Sequence, residues 1–237
     1  MILSEPNGEY IMKNKKTILK IMVDICMTLA ILFLMPYELV GSLLHEIIGT
    51  LVIVLLIVHH LLNRKWTAEM FHGKYTLRRS VQTLMIVLMM LCVLGSAVSG
   101  IALSRHLYRF LPSLIGADFA RKTHMLCAYW GLIIMSLHLG FHWNVMLNKI
   151  KKLFCRKKAC GTILRIIGFT AAGYGIYAFW KRDIADYLFL KTVFVFFDRN
   201  EPLILLILDY AALMAAFVLI GHYLSKWLIH LQKRKKK

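Results

Sequence analysis

Long apolar runs alternate with short basic segments along this chain, and the runs are similar in length. Six of them, roughly 17–37, 43–62, 81–103, 123–147, 163–180 and 203–230, match or approach the twenty or so residues that cross a hydrocarbon core as a helix. The pattern predicts an all-α integral membrane protein, a bundle of about six transmembrane helices. The expected organisation is one membrane domain over 1–237, with an N-terminal segment (1–16), a four-helix unit (17–147), two further helices (163–230) and a basic tail (231–237). About sixteen residues, many of them polar, precede the first run and no small-x-small site follows it, so it reads as an uncleaved helix.

Composition agrees: 59% of the 237 residues are hydrophobic, and the mean hydropathy is +0.64. The formal charge of +18 changes the picture only through its placement. Lys13, Lys15, Lys16 and Lys20 flank the first span, and Arg64, Lys65, Lys74, Arg78 and Arg79 fill the second connection. Lys149, Lys151, Lys152, Arg156, Lys157, Lys158 and Arg165 occupy the fourth, and Lys226 with the Lys233–Lys237 run flanks the last span. Cations concentrated in every second connection follow the positive-inside rule, which puts both termini in the cytoplasm. The Lys tail reads as a solvated face at the lipid bilayer, with no nucleic acid as partner.

Cys26, Cys92, Cys127, Cys155 and Cys160 show neither CxxC nor CxxCH spacing, which excludes covalent haem attachment and a zinc pattern. Cys155 and Cys160 fall in a basic cytoplasmic connection where reduced thiols are the rule. Gly173-Tyr-Gly-Ile resembles the start of a dinucleotide fingerprint, but no strand precedes it and the surrounding chain is membrane-like.

The histidines carry the chemistry. His45 and His59 lie on the second span and His124 and His138 on the fourth, both pairs fourteen residues apart. That separation is about 21 Å along a helix and returns to within roughly 40° of the starting face. The two spans are separated by one other and so run parallel, placing His45 level with His124 near the outer face and His59 level with His138 near the inner face. A single membrane histidine is commonly an interhelical hydrogen-bonding group. Agreement in spacing, face and depth points instead to four axial ligands of two stacked, non-covalent b haems, with irons as the metal. Two imidazoles per iron leave no open coordination position, which favours electron transfer.

Gly49, one turn from His45, and Gly131, seven residues from both His124 and His138, would leave room for a flat macrocycle, though glycines also serve plain helix packing. Arg64, Lys65, Trp66, His142 and Trp143 are placed to meet propionates or headgroups. His60 points about 100° from His59; His142 shares the face of His138 but lies level with Asn63, which suits a propionate partner. His222 is a reserve ligand, while His72, His106 and His230 fall in loops or at an end. Glu46 beside His45 is a candidate proton or quinol handler; Asp24 and Asp209 are interfacial or helix-pairing candidates.

The segments His45-Glu-Ile-Ile-Gly, His59-His60-Leu-Leu-Asn-Arg-Lys-Trp66 and His138-Leu-Gly-Phe-His142-Trp143 resemble the flavinylation-associated cytochrome family of bacterial membrane proteins. The resemblance implies a b-type cytochrome core in the bacterial cytoplasmic membrane that passes electrons to a flavinylated, FMN-binding carrier outside. The His-x13-His arrangement is also similar to the cytochrome b of quinol-oxidising complexes, which leaves a quinone-reactive oxidoreductase subunit as the alternative, with Glu46 or Asp209 handling protons. A self-contained reductase would need a flavin and nucleotide domain that these residues do not include. A haem-free transporter or structural protein remains the plain reading of histidines that only bond between helices.

Overall fold

The computed structural model describes residues 6–69, 72, 75–112, 115–154, 158–195, 198 and 200–234, without the side chains of 6–15, 145–154 and 158–160. Lys74, Cys155, Arg156, Lys157 and Lys235–Lys237 lie outside the described residues, as do the side chains of Lys13, Lys15, Lys149, Lys151, Lys152, Lys158 and Cys160.

The chain is all helical, with no strand among the described residues, and six helices are long and apolar enough to cross a membrane. In order these are α1 (Pro6–Leu34), α3 (Ser42–Leu62), α5 (Leu77–Leu103), α6 (Ala117–Phe154), α7 (Lys158–Lys181) and α9 (Leu203–Arg234). Short helices α2 (Tyr37–Val40), α4 (Arg64–Glu69) and α8 (Ile184–Leu188) sit in the connections. Large apolar side chains face outward along the spans, among them Met22 and Leu29 on α1, Leu91 and Val98 on α5 and Ile166 on α7. That stripe inverts the pattern of a water-soluble bundle and suits lipid as solvent.

Several boundaries differ from the hydrophobic reading, and three of them have a visible local reason. The first span stops at Leu34 because Pro36 lacks an amide proton and disfavours helix in the residue before it. The chain then turns at Gly41, whose φ of +86° suits glycine, before α3 begins. α5 starts at Leu77, ahead of its apolar run, because the Thr76 side chain accepts from the Arg79 amide and caps the helix. α6 likewise starts at Ala117, with Asp118 in its first turn paired to Lys122 at 2.7 Å.

Helices in lipid gain little from burying apolar surface against one another, so close packing and polar bonds decide which of them meet. α6 and α9 are the central pair. A Cβ on Gly140 would overlap the Val218 carbonyl oxygen and lie 2.9 Å from Gly221 Cα, while one on Gly221 would overlap the Leu137 carbonyl. α7 closes on α9 in the same way, Gly175 lying against the Ala212 carbonyl. The second glycine of Gly173-Tyr-Gly is therefore a packing glycine. α5 lies along α6 with Gly95 opposite Cys127 and Gly131 opposite Cys92. The shared core includes Leu132, Tyr129, Leu206, Tyr210 and Leu213, with Trp143 packed against it. α3, by contrast, packs on α1 and approaches α5 and α6 at few points.

One end of the α7–α9 pair is tied by ions. Asp209, 2% exposed, accepts from Tyr174 Oη (2.6 Å), Lys181 Nζ (2.8 Å) and Arg182 Nε (2.7 Å), and Arg182 also forks onto Glu201. The Asp209 carboxylate is thus engaged as a helix-pairing group. The guanidinium holds the Glu201 carboxyl below its ordinary range, and the two acids push Arg182 up.

Replacing Gly221 or Gly140 with Leu is expected to cost about 1–3 kcal/mol through overpacking and to lower the unfolding temperature in detergent, whereas Gly173→Leu, which meets open space, should be near neutral. The Glu201 contribution is present above the unfolded carboxyl value of about 4.3 and is lost as pH falls through its lower folded value. Thermal stability should therefore hold from neutral pH to about pH 4 and drop below it, and Glu201→Gln should remove about 1 kcal/mol at pH 7 and flatten that drop.

Candidate functional site

The weak approach of α3 to α5 and α6 leaves a cleft between two helix pairs, α1 with α3 and α5 with α6. Histidines from both walls meet across it. At one end His45 of α3 and His124 of α6 face each other with ring centres 6.0 Å apart. Both are half-buried, and Tyr37 of α2 packs edge-on against His45 at 5.0 Å. His45 Nδ1 is buried without a partner.

His124 is oriented from behind. Its Nδ1 lies 3.0 Å from the Ser96 carbonyl and 3.2 Å from Ser99 Oγ, both on α5. A carbonyl only accepts, so Nδ1 carries the proton and Nε2 keeps the lone pair. Gly100 makes the approach close: a Cβ there would lie 3.3 Å from His124 Cε1. Of the glycines singled out in the sequence, Gly49 meets only Leu34 at 4.0 Å, leaving its side of α3 open, and Gly131 faces Cys92 of α5 at 3.5 Å.

The other end holds His59, His60, His138 and His142. His59 Nδ1 is 2.7 Å from Asp24 Oδ1 of α1. His138 and His142 stack obliquely on α6 at 4.9 Å, and His59 with Asp24 lies close enough to act electrostatically on both. His138 Nδ1 is buried and unpartnered, whereas His142 Nε2 accepts from the Gln82 amide of α5 at 3.1 Å. His138 therefore has a buried nitrogen to spare where His142 is held by α5. His60 turns its ring edge-on to His59 at 5.6 Å, with Nε2 buried and unpartnered. It lines an apolar groove of about 740 Å³ between α3 and α5, with Leu56, Arg64, Met90 and Leu94. A second, more polar cavity of about 520 Å³ lies by Trp66, His72, Arg78, Arg79 and Gln82. His222 is buried on α9 where Gly140 of α6 crosses, and His230 is exposed near the α9 C-terminus.

Glu46 anchors the connection that follows α5. Its carboxylate accepts from Ser104 Oγ (2.7 Å) and from the Arg105, His106 and Leu107 amides (2.8, 3.2 and 2.8 Å). Ser42 bonds His106 Nε2 at 2.9 Å and Thr50 meets Tyr108 Oη at 3.0 Å. Ser42, Glu46 and Thr50 share one face of α3 at helical spacing, and together they strap the 104–108 loop across the His45 end of the cleft. His106 is thus part of this strap.

Among the described residues no three His, Cys, Asp or Glu side chains gather as a metal site. Fold and site define a multi-pass helical membrane protein with paired imidazoles across a cleft. Comparison with protein-family models, curated proteins and solved structures gives no match to this chain.

Glu46→Ala removes charge-assisted acceptors worth about 1.5–3 kcal/mol. It is expected to speed amide exchange at Arg105–Leu107 by about 10–100-fold, measured by hydrogen–deuterium exchange, while exchange in α9 stays unchanged.

Proposed function

We propose that this chain is a transmembrane electron conduit holding two non-covalent b haems, one between His45 and His124 and one between His59 and His138. The observation that carries the reading is the His45–His124 pair, 6.0 Å between ring centres, on helices that otherwise stay apart. Rings at that separation would have room to hold one metal ion between them. Facing imidazoles with no cluster of three or more ligating side chains would suit a haem iron better than a metal held by protein ligands alone. The buried, unpartnered nitrogens of His45 and His138 are orphans that such an iron would satisfy. A haem at each pair would supply a one-electron iron couple with no open coordination site.

The residues around the pairs set orientation and insulation. Ser96 and Asp24 hold Nδ1 of His124 and His59, leaving Nε2 of each for the iron. The strapped 104–108 loop covers one end of the cleft, and Gly49 leaves room beside His45. Arg78 reaches from the start of α5 to Ser225 on α9 at 3.0 Å, and with Arg79 it lines the polar cavity by Trp66, just past the His59 end of α3. By the positive-inside rule that end, with both termini, faces the cytoplasm, and the His45 end faces outward. Outward transfer of one electron from a negative interior gains about 2.3 kcal/mol per 100 mV. The flavinylated FMN carrier as outer acceptor rests on the family resemblance alone.

The apolar groove beside His60 favours a second reading, in which a membrane quinone exchanges electrons at the cytoplasmic end. That reading predicts saturable binding of quinone analogues, abolished by Leu94→Trp.

Protein purified in detergent is expected to show a b-type α band on reduction, with two haems per chain by pyridine haemochrome. His45→Ala and His124→Ala should each remove one haem, and His59→Ala and His138→Ala the other. Retention of both haems in all four variants sinks the ligand assignment, and a colourless, folded protein from haem-replete cells sinks the conduit.

A further inference from the structure

We propose that Asp24 is a positioning residue for His59, and that its carboxylate makes the two ends of the cleft electronically unequal. The inference rests on the haem reading above and adds to it a residue on a helix that supplies no ligand. Asp24 and Lys20 lie one turn apart on α1 and grip residues one turn apart at the end of α3, His59 and its C-cap Asn63: Asp24 Oδ1 meets His59 Nδ1 at 2.7 Å, and Lys20 Nζ donates to Asn63 Oδ1 at 2.8 Å. Asn63 in turn donates to the His59 carbonyl at 2.9 Å. Lys20, the cation nearest Asp24 on its own helix face, is thus committed to Asn63, and the partner of Asp24 is the imidazole. A carboxylate inside a span is costly unless it is put to use, and here it fixes the proton on Nδ1 and turns Nε2 away from α1.

The contrast with His124 gives the inference its content. His124 Nδ1 bonds a neutral backbone carbonyl, while His59 Nδ1 bonds a carboxylate. A carboxylate draws the Nδ1 proton towards itself and makes Nε2 the stronger donor to a metal. A stronger, more anionic ligand favours the oxidised iron. The iron held by His59 is therefore harder to reduce than it would be behind a neutral acceptor, and it is held more tightly.

The test uses the full chain in detergent as wild type, Asp24→Asn, Asp24→Glu and His59→Ala. Asparagine keeps an acceptor for Nδ1 but loses the charge. In potentiometric titrations Asp24→Asn is expected to raise the reduced-to-oxidised ratio of one haem about tenfold at fixed potential, which is 59 mV for a one-electron couple. The other couple should stay in place and match the single couple left in His59→Ala. Transfer of the shifted haem to an apo-haem acceptor should become about 10–100-fold easier, and Asp24→Glu should restore both properties. A plain helix clamp predicts unchanged couples in Asp24→Asn, and that result overturns the proposal. Independently of haem, nitrogen-15 histidine spectra of haem-free wild type should show His59 as the Nδ1–H tautomer. An Nε2–H tautomer overturns the proposal even where a variant fails to fold. A wild type that never binds haem defeats the conduit reading instead, and the tautomer measurement still decides whether Asp24 orients His59.

Discussion

Everything in this molecule follows from how its helices are allowed to touch in a solvent as apolar as their own side chains. Where backbones come into contact, glycine permits it: Gly140 against Gly221 joins α6 to α9, Gly175 joins α7 to α9, and Gly95 and Gly131 let α5 lie along α6. α3 shares none of these close crossings with α5 or α6. It packs along α1 instead, and polar bonds tie its two ends: Ser42, Glu46 and Thr50 to the 104–108 loop at one end, His59 and Asn63 to α1 at the other. A helix packed on α1 but touching α5 and α6 at few points leaves a cleft on that side, and the imidazoles stand in it. The site is thus a product of where close packing stops.

How much of this can be read along the chain differs by kind of information. The six spans follow from run length, because lipid demands long apolar helices with their backbone bonds made internally. The spacing of His45, His59, His124 and His138 along their own helices is equally legible, since helical rise and rotation are fixed. Helix starts set by caps are harder: the polar first turns of α5 and α6 carry no hydrophobic signal, and only Thr76 marks where α5 begins. Partners on other helices are harder still. One amino-acid sequence shows which residues share a face, but not which helix that face meets. Ser96 and Ser99 behind His124, Gln82 on His142 and Asp24 on His59 are all of this kind.

Glu46 shows why an acidic residue next to a functional histidine is an ambiguous sign. Adjacent positions on a helix point about 100° apart, so the side chain beside His45 looks away from His124 and onto the connecting loop. There it meets three amides and a hydroxyl, which makes it an anchor. Asp209 resolves similarly, between two cations and a tyrosine. In both cases the acceptor capacity of the carboxylate is spent on structure, and the intramembrane acid left in contact with a cleft histidine is Asp24.

That leaves an asymmetry built from ordinary parts. The His45 end is closed by a strapped loop, and its His124 is backed by a neutral carbonyl. The His59 end is flanked by cations and a polar cavity, and His59 is backed by a carboxylate. On the proposed reading, a negative group behind the cytoplasmic ligand lowers the potential of that iron relative to the outer one. Electrons entering at the cytoplasmic end would then move towards the higher potential by moving outward, the direction that the membrane voltage also favours. On that reading ligand chemistry and membrane field would act in the same sense, and a chain with equivalent histidine spacing at both ends would still distinguish an entrance from an exit.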